Sequence, residues 1–121
     1  MTDVSETLRS AARVLEETGW QQGSYGFQGH PHCEVGAVRE AIILRGNPMH
    51  RARTSWTYEQ ENLFQRCMVT LAECIDPGVR TNQVPYNAEL TVIRWNDRRG
   101  RTAHDVVNEM NRCAGNLEEQ G

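Results

Sequence analysis

Residues 88–114 read AELTVIRWNDRRGRTAHDVVNEMNRCA, and this stretch decides the fold. Thr102 can cap a helix through its hydroxyl, while Asp105, three residues on, reaches back to the amide of the cap and complements the positive helix end. Val106, Met110 and Cys113 then recur at intervals of four and three, which lines them along one helix face. Gly115 and Asn116 accept the left-handed conformation and are expected to end that helix, leaving the last few residues disordered. Upstream, Asn87 can cap a helix over Ala88–Arg94. Thr91, Val92, Ile93 and Trp95 also have strand propensity, but the segment is short, the cap fits and no partner strand is evident. Asn96 and Asp97 bond turn backbone, so the turn between the two elements runs from Asp97 to Arg101. Trp95 is expected in the core, where it and a third helix receive the apolar face of the last helix.

Three more helices extend this pattern toward the N-terminus. Val4, Leu8, Ala11, Ala12 and Leu15 share one face, with Arg9, Arg13, Glu16 and Glu17 opposite, and Gly19 ends the helix with Trp20 folding back on it. Glycine-rich residues 21–31 read as a loop or at most a short hairpin. A second helix starts near Cys33 or Glu34, carries Val35, Val38, Ala41 and Ile42 inward, and stops at Gly46-Asn47-Pro48. Thr57 caps a third, whose stripe of Phe64, Cys67, Leu71 and Ile75, widened by Leu63, Met68 and Cys74, marks it as the expected centre of the core. Asp76-Pro77-Gly78 ends it, and a loop is expected through Pro85. The expected fold is therefore all-α: one domain over residues 1–121, an irregular bundle of about five helices with sequential helices as antiparallel neighbours.

Composition bounds the function classes. A length of 121 residues, with 38% hydrophobic and 24% charged residues, fits one small core under a polar surface. No apolar run approaches the roughly 18 residues that span a membrane, and the acidic start Met1–Glu6 is unlike a secretory signal, so a cytoplasmic location is expected. All 13 basic residues are arginine, yet the net charge of -3 argues against a general nucleic-acid binder. Cys67, Cys74 and Cys113 fall on apolar helix faces and read as buried, reduced thiols.

Three blocks stand in a fixed order: a first helix ending near Gly19-Trp20, a central Cys33-x-x-Gly36-Ala37 segment, and Trp95-Asn96-Asp97 with Arg101-Thr102 before an aliphatic helix. In this the chain resembles a family of small uncharacterised proteins of actinobacteria and of the phages that infect them. The resemblance covers most of the chain and implies a fold and a source, host cytoplasm included, but no chemistry.

Candidate sites are few, and each competes with a structural role. Arg94, Arg98, Arg99 and Arg101, with Asp97 among them, form the strongest local positive field and could hold a carboxylate or phosphate; paired with neighbouring acids they would be a solvated turn. Arg51 and Arg53 near Trp56 form a smaller field. Trp95, Asn96 and Asp97 could line a pocket or brace the turn. His30, His32 and Cys33 are the closest metal-type cluster, and zinc would need a fourth ligand from Cys67, Cys74, Cys113 or His104, at a spacing that fits no known finger. Cys33 at a helix N-terminus with a histidine base could be a nucleophile, but no oxyanion element accompanies it. His104 beside Asp105 points elsewhere on its helix. No cofactor is implied. The leading reading is a non-enzymatic protein that docks on a host or cellular protein; the alternative is a nucleotide or nucleic-acid binder using Arg94–Arg101, and the third is a Cys33 enzyme.

Overall fold

Four of the helices begin on a bonded cap, as the sequence requires. The computed structural model describes residues 2–46, 51–82 and 86–120. Helix α1, Thr2–Thr18, buries Val4, Leu8, Ala11, Ala12 and Leu15 and ends at Gly19, whose φ of +96° suits glycine. Helix α2, Glu34–Arg45, is capped by the Cys33 sulfur, which accepts from the Gly36 amide at 3.3 Å. Helix α3, Tyr58–Ile75, has a reciprocal capping box between Thr57 and Gln60. Helix α4, Val79–Asn82, is a single turn, and α5, Ala88–Asn96, is capped by Asn87 through the Leu90 amide at 3.0 Å. In helix α6, Ala103–Gln120, Asp105 N–H donates to Thr102 Oγ1 at 3.1 Å and Thr102 N–H to Asp105 Oδ2 at 3.0 Å.

The architecture is all-α, and segment 88–96 is a helix rather than a strand. Among the described residues the 20–32 loop forms no hairpin, only an isolated bridge between Trp20 and His32. Packing is not simply sequential: α1 lies chiefly on α6 and then on α2, while α3 lies chiefly on α5. Helix α3 packs on every other helix and buries Phe64, Cys67, Met68, Leu71 and Ala72, while α2 is the more completely buried helix, with residues Glu34–Val38 and Glu40–Ile43 all buried. Periodicity hides such a helix, since one buried on nearly every side has little amphipathic pattern.

Four expectations are corrected. Residues 79–82 form α4 where a loop was expected, anchored by buried Val79 and by the Asp76 carbonyl, which accepts from the Val79 amide at 3.0 Å. The last helix does not stop at Gly115-Asn116 but runs to Gln120, because Leu117 packs on the core and Glu118 pairs with Arg9 of α1 at 2.5 Å. Cys74 and Cys113 are not free thiols: a disulfide joins α3 to α6 across a Cα–Cα distance of 6.1 Å, a pairing that 39 residues of separation conceal. Cys67 is a buried free thiol as expected, with burial pushing its pKa up to about 12. Trp95 is only half-buried, packed against the edge of the core. The expected helix stop at Asn47-Pro48 lies outside the described residues.

Candidate functional site

The glycine-rich loop is held in place by one buried side chain from the other end of the sequence. Asn96, with no exposed surface, accepts at Oδ1 from the Trp20 indole at 2.6 Å and the Glu34 amide at 2.9 Å. Its Nδ2 donates to the Gln21 carbonyl at 3.2 Å and to Asp97 Oδ1 at 3.0 Å. Asp97 in turn accepts from the Gly23 amide at 3.0 Å, and Gln22 Nε2 donates to the carbonyls of Asn96 and Arg98, each at 3.0 Å. Asn96 and Asp97 therefore brace the loop against α2 and α5, reaching beyond the turn in which the sequence places them, and Trp95 takes no part in these bonds.

The arginines of the turn differ in what they engage. Arg101 stacks on Trp95, 3.7 Å from the ring centroid, and donates from Nε to the Trp95 carbonyl at 2.9 Å. Arg94, Arg98 and Arg99 are exposed and, among the described residues, enter no salt bridge. Nor do His30, His32 and Cys33 bring three ligand atoms together among the described residues. His30 is exposed, whereas His32 turns toward Thr18 and Glu40. Burial raises the pKa of the Cys33 thiol, opposite to an activated thiolate, although this thiol does line a pocket of about 340 Å³ with Tyr25, Ile93 and Asp97. Exposed His104 bonds Asn108 at 2.9 Å.

The loop and α2 together make a second pocket, of about 380 Å³, walled by Ser24, Tyr25, Phe27, His32, Arg39, Glu40 and Arg51. Close approach of loop and helix depends on Gly36, where a Cβ would fall 1.9 Å from the Tyr25 carbonyl oxygen. Within this pocket, buried Glu40 is hydrogen-bonded by Arg51 and lies 3.8 Å from His32 Nε2. Burial lowers the His32 pKa, partly offset by Glu40, so the imidazole is neutral near pH 7. Arg51 Nη1 is buried without a hydrogen-bond partner among the described residues. At the rim, Arg39 stands over Tyr25 at 4.7 Å, and Phe27 is 77% exposed. Burial and the bond from its hydroxyl to Glu89 raise the Tyr25 pKa, so the phenol stays neutral.

Sequence reasoning did not single out Arg39, Glu40 or Phe27 and placed Arg51 in a patch with Arg53. Arg53 is instead engaged with Glu61 at 2.6 Å and stacks on Phe64 at 4.4 Å. A usable signal was Glu40, an acid whose neighbours one turn away, Gly36, Ala37, Ile43 and Leu44, are all apolar, which implies a buried cationic partner. A family model described as "Family of unknown function (DUF6197)" matches residues 1–116. No curated protein and no solved structure matches the chain.

Proposed function

Because the chain belongs to the DUF6197 family, whose description assigns no activity, function is argued from its own geometry, and we propose a non-enzymatic binding protein. Its site is the pocket between the 23–28 loop and α2, and its ligand is an acidic segment of a protein partner. The observation that carries this is Arg51 Nη1, a buried donor without an acceptor among the described residues, on a side chain in the wall of that pocket. Such a donor carries a desolvation cost that a carboxylate would relieve, and Arg39 adds a second guanidinium. Exposed Phe27 supplies an apolar anchor beside the charge, the pairing common at binding hot spots. The resemblance to actinobacterial and phage proteins supports a partner in the bacterial cytoplasm, and no helix among the described residues is long and apolar enough to cross a membrane.

The test is fluorescence anisotropy with labelled peptides carrying one to three acidic residues next to an apolar one, set against neutral and basic controls. Phe27→Ala and Arg39→Ala are the informative variants, since both residues stand at the rim, whereas Arg51→Ala would also strip Glu40 of its partner. We expect each rim variant to weaken acidic-peptide binding about tenfold or more with an unchanged melting temperature. Equal affinity for acidic and basic peptides, or rim variants that bind as the parent does, overturns the proposal.

A second reading, a nucleotide or nucleic-acid binder, is supported by Arg94, Arg98 and Arg99 standing exposed and outside any described salt bridge. Phosphate binding there would weaken steeply with salt and be lost in the Arg98→Ala, Arg99→Ala double variant. The Cys33 enzyme reading is the weakest of the three, because the thiol is buried and its pKa is raised. Rapid labelling of Cys33 in the native protein at neutral pH would restore it.

A further inference from the structure

Where α3 meets α6, three ligand-type atoms converge. Cys74 Sγ, Cys113 Sγ and a Glu109 carboxylate oxygen lie within 4.8 Å of one another, and Cys113 Sγ is 3.7 Å from Glu109 Oε1. This is close to twice a metal–sulfur bond of about 2.3 Å, so one ion can touch all three after small side-chain rotations. Helices α3 and α6 fix the ligand positions, with Cys113 buried and Cys74 half-buried on the solvent side.

We infer that Cys74, Cys113 and Glu109, once the disulfide is reduced, bind a thiophilic divalent cation such as Zn²⁺. The disulfide and the ion are then alternative cross-links of one helix pair. A dithiol reductant breaks the Cys74–Cys113 bond, its own two sulfurs forming a disulfide as two electrons and two protons pass to the pair. Metal binding then forms two metal–sulfur bonds and releases both thiol protons to solvent. Half-buried Cys74 leaves the fourth tetrahedral position to water.

The charges around the cluster suit this occupant. Arg112 Nη2 donates to Glu109 Oε1 at 2.6 Å and to the Cys74 carbonyl at 3.0 Å, so two thiolates, one carboxylate and one guanidinium sum to a charge that a divalent cation neutralises.

The experiment uses full-length protein reduced with a dithiol, desalted without oxygen and titrated with Co²⁺, then with Zn²⁺ as competitor. The inference expects a thiolate-to-cobalt charge-transfer band that saturates at one ion per chain, bleaches with zinc, and is absent from the oxidised protein. Native mass spectrometry should find one zinc. Cys74→Ser should abolish the band, and Cys33→Ser and Cys67→Ser should keep it. Glu109→Gln, which preserves side-chain shape and so guards against misfolding, should weaken uptake by at least about tenfold. Reduced protein that takes up neither ion, or a Cys74→Ser variant that binds as tightly as the parent, overturns it.

Discussion

Replacing Asn96 tests the bracing of the loop most directly. Its side chain holds four hydrogen bonds at a fully buried position, and Asn96→Ala would leave the Trp20 indole, the Glu34 amide and the Gln21 carbonyl without this partner. Each buried group left unpaired costs about 1 to 3 kcal/mol, and the Trp20 and Gln21 contacts are only part-buried, so the variant should lose about 3 to 6 kcal/mol, much of the roughly 5 to 15 kcal/mol expected of a domain. Asn96→Asp separates hydrogen bonding from packing, because the shape is kept and the Oδ1 acceptor survives. Its second oxygen would face the Gln21 carbonyl and Asp97, turning two donated bonds into repulsions, so the aspartate should be no better tolerated than alanine. Urea unfolding followed by circular dichroism measures the loss, and hydrogen exchange at the Glu34 amide reports whether the loop opens first. An Asn96→Asp variant within about 1 kcal/mol of the parent would refute the bracing role.

Three further outcomes are expected. Burial raises the folded-state pKa of Glu34 well above the 4.5 of an ordinary glutamate, so the unfolded chain deprotonates first and Glu34 removes stability as pH rises from about 4.5 through the folded pKa; Glu34→Gln should gain stability at pH 7, and a denaturation series should show the gain vanishing below about pH 4.5. Half-buried Trp95 should lose about 2 kcal/mol as alanine, less than the 3 to 5 kcal/mol of a fully buried tryptophan, against about 1 kcal/mol for Thr102→Ala; thermal unfolding of both variants ranks them. Gly36→Ala places a Cβ against the Tyr25 carbonyl and should push the loop off α2, which limited proteolysis within residues 21–31 would detect.

Local chemistry made most of the helices legible. The Thr57, Asn87 and Thr102 caps act within three residues, and the faces of α1 and α6 follow from spacing alone. What stayed hidden depends on distant partners. Gly115 reads as a stop until the Arg9–Glu118 pair and Leu117 hold the last turns in place. Cys74 and Cys113 read as core thiols until α3 and α6 are set side by side. The pocket was hidden for the same reason, because Phe27, Glu40 and Arg51 come together only when the loop folds over Gly36. Asn96 was read as a turn residue, and its reach back to Trp20 and Glu34 has no local signature.

The dominance of the α1–α6 contact has a consequence for biosynthesis. On the ribosome α1 emerges before the other described helices and its main packing partner, α6, after them. During that interval α2 can shelter part of the stripe formed by Val4, Leu8 and Leu15, while the part meant for α6 stays open to chaperones or to other nascent chains. Closing contacts between opposite ends of a sequence raises contact order and slows folding relative to a bundle zipped up between neighbours. Translation stalled or truncated ahead of residue 103 would therefore release a chain with most of its helices and an unsealed core, a natural substrate for proteolysis.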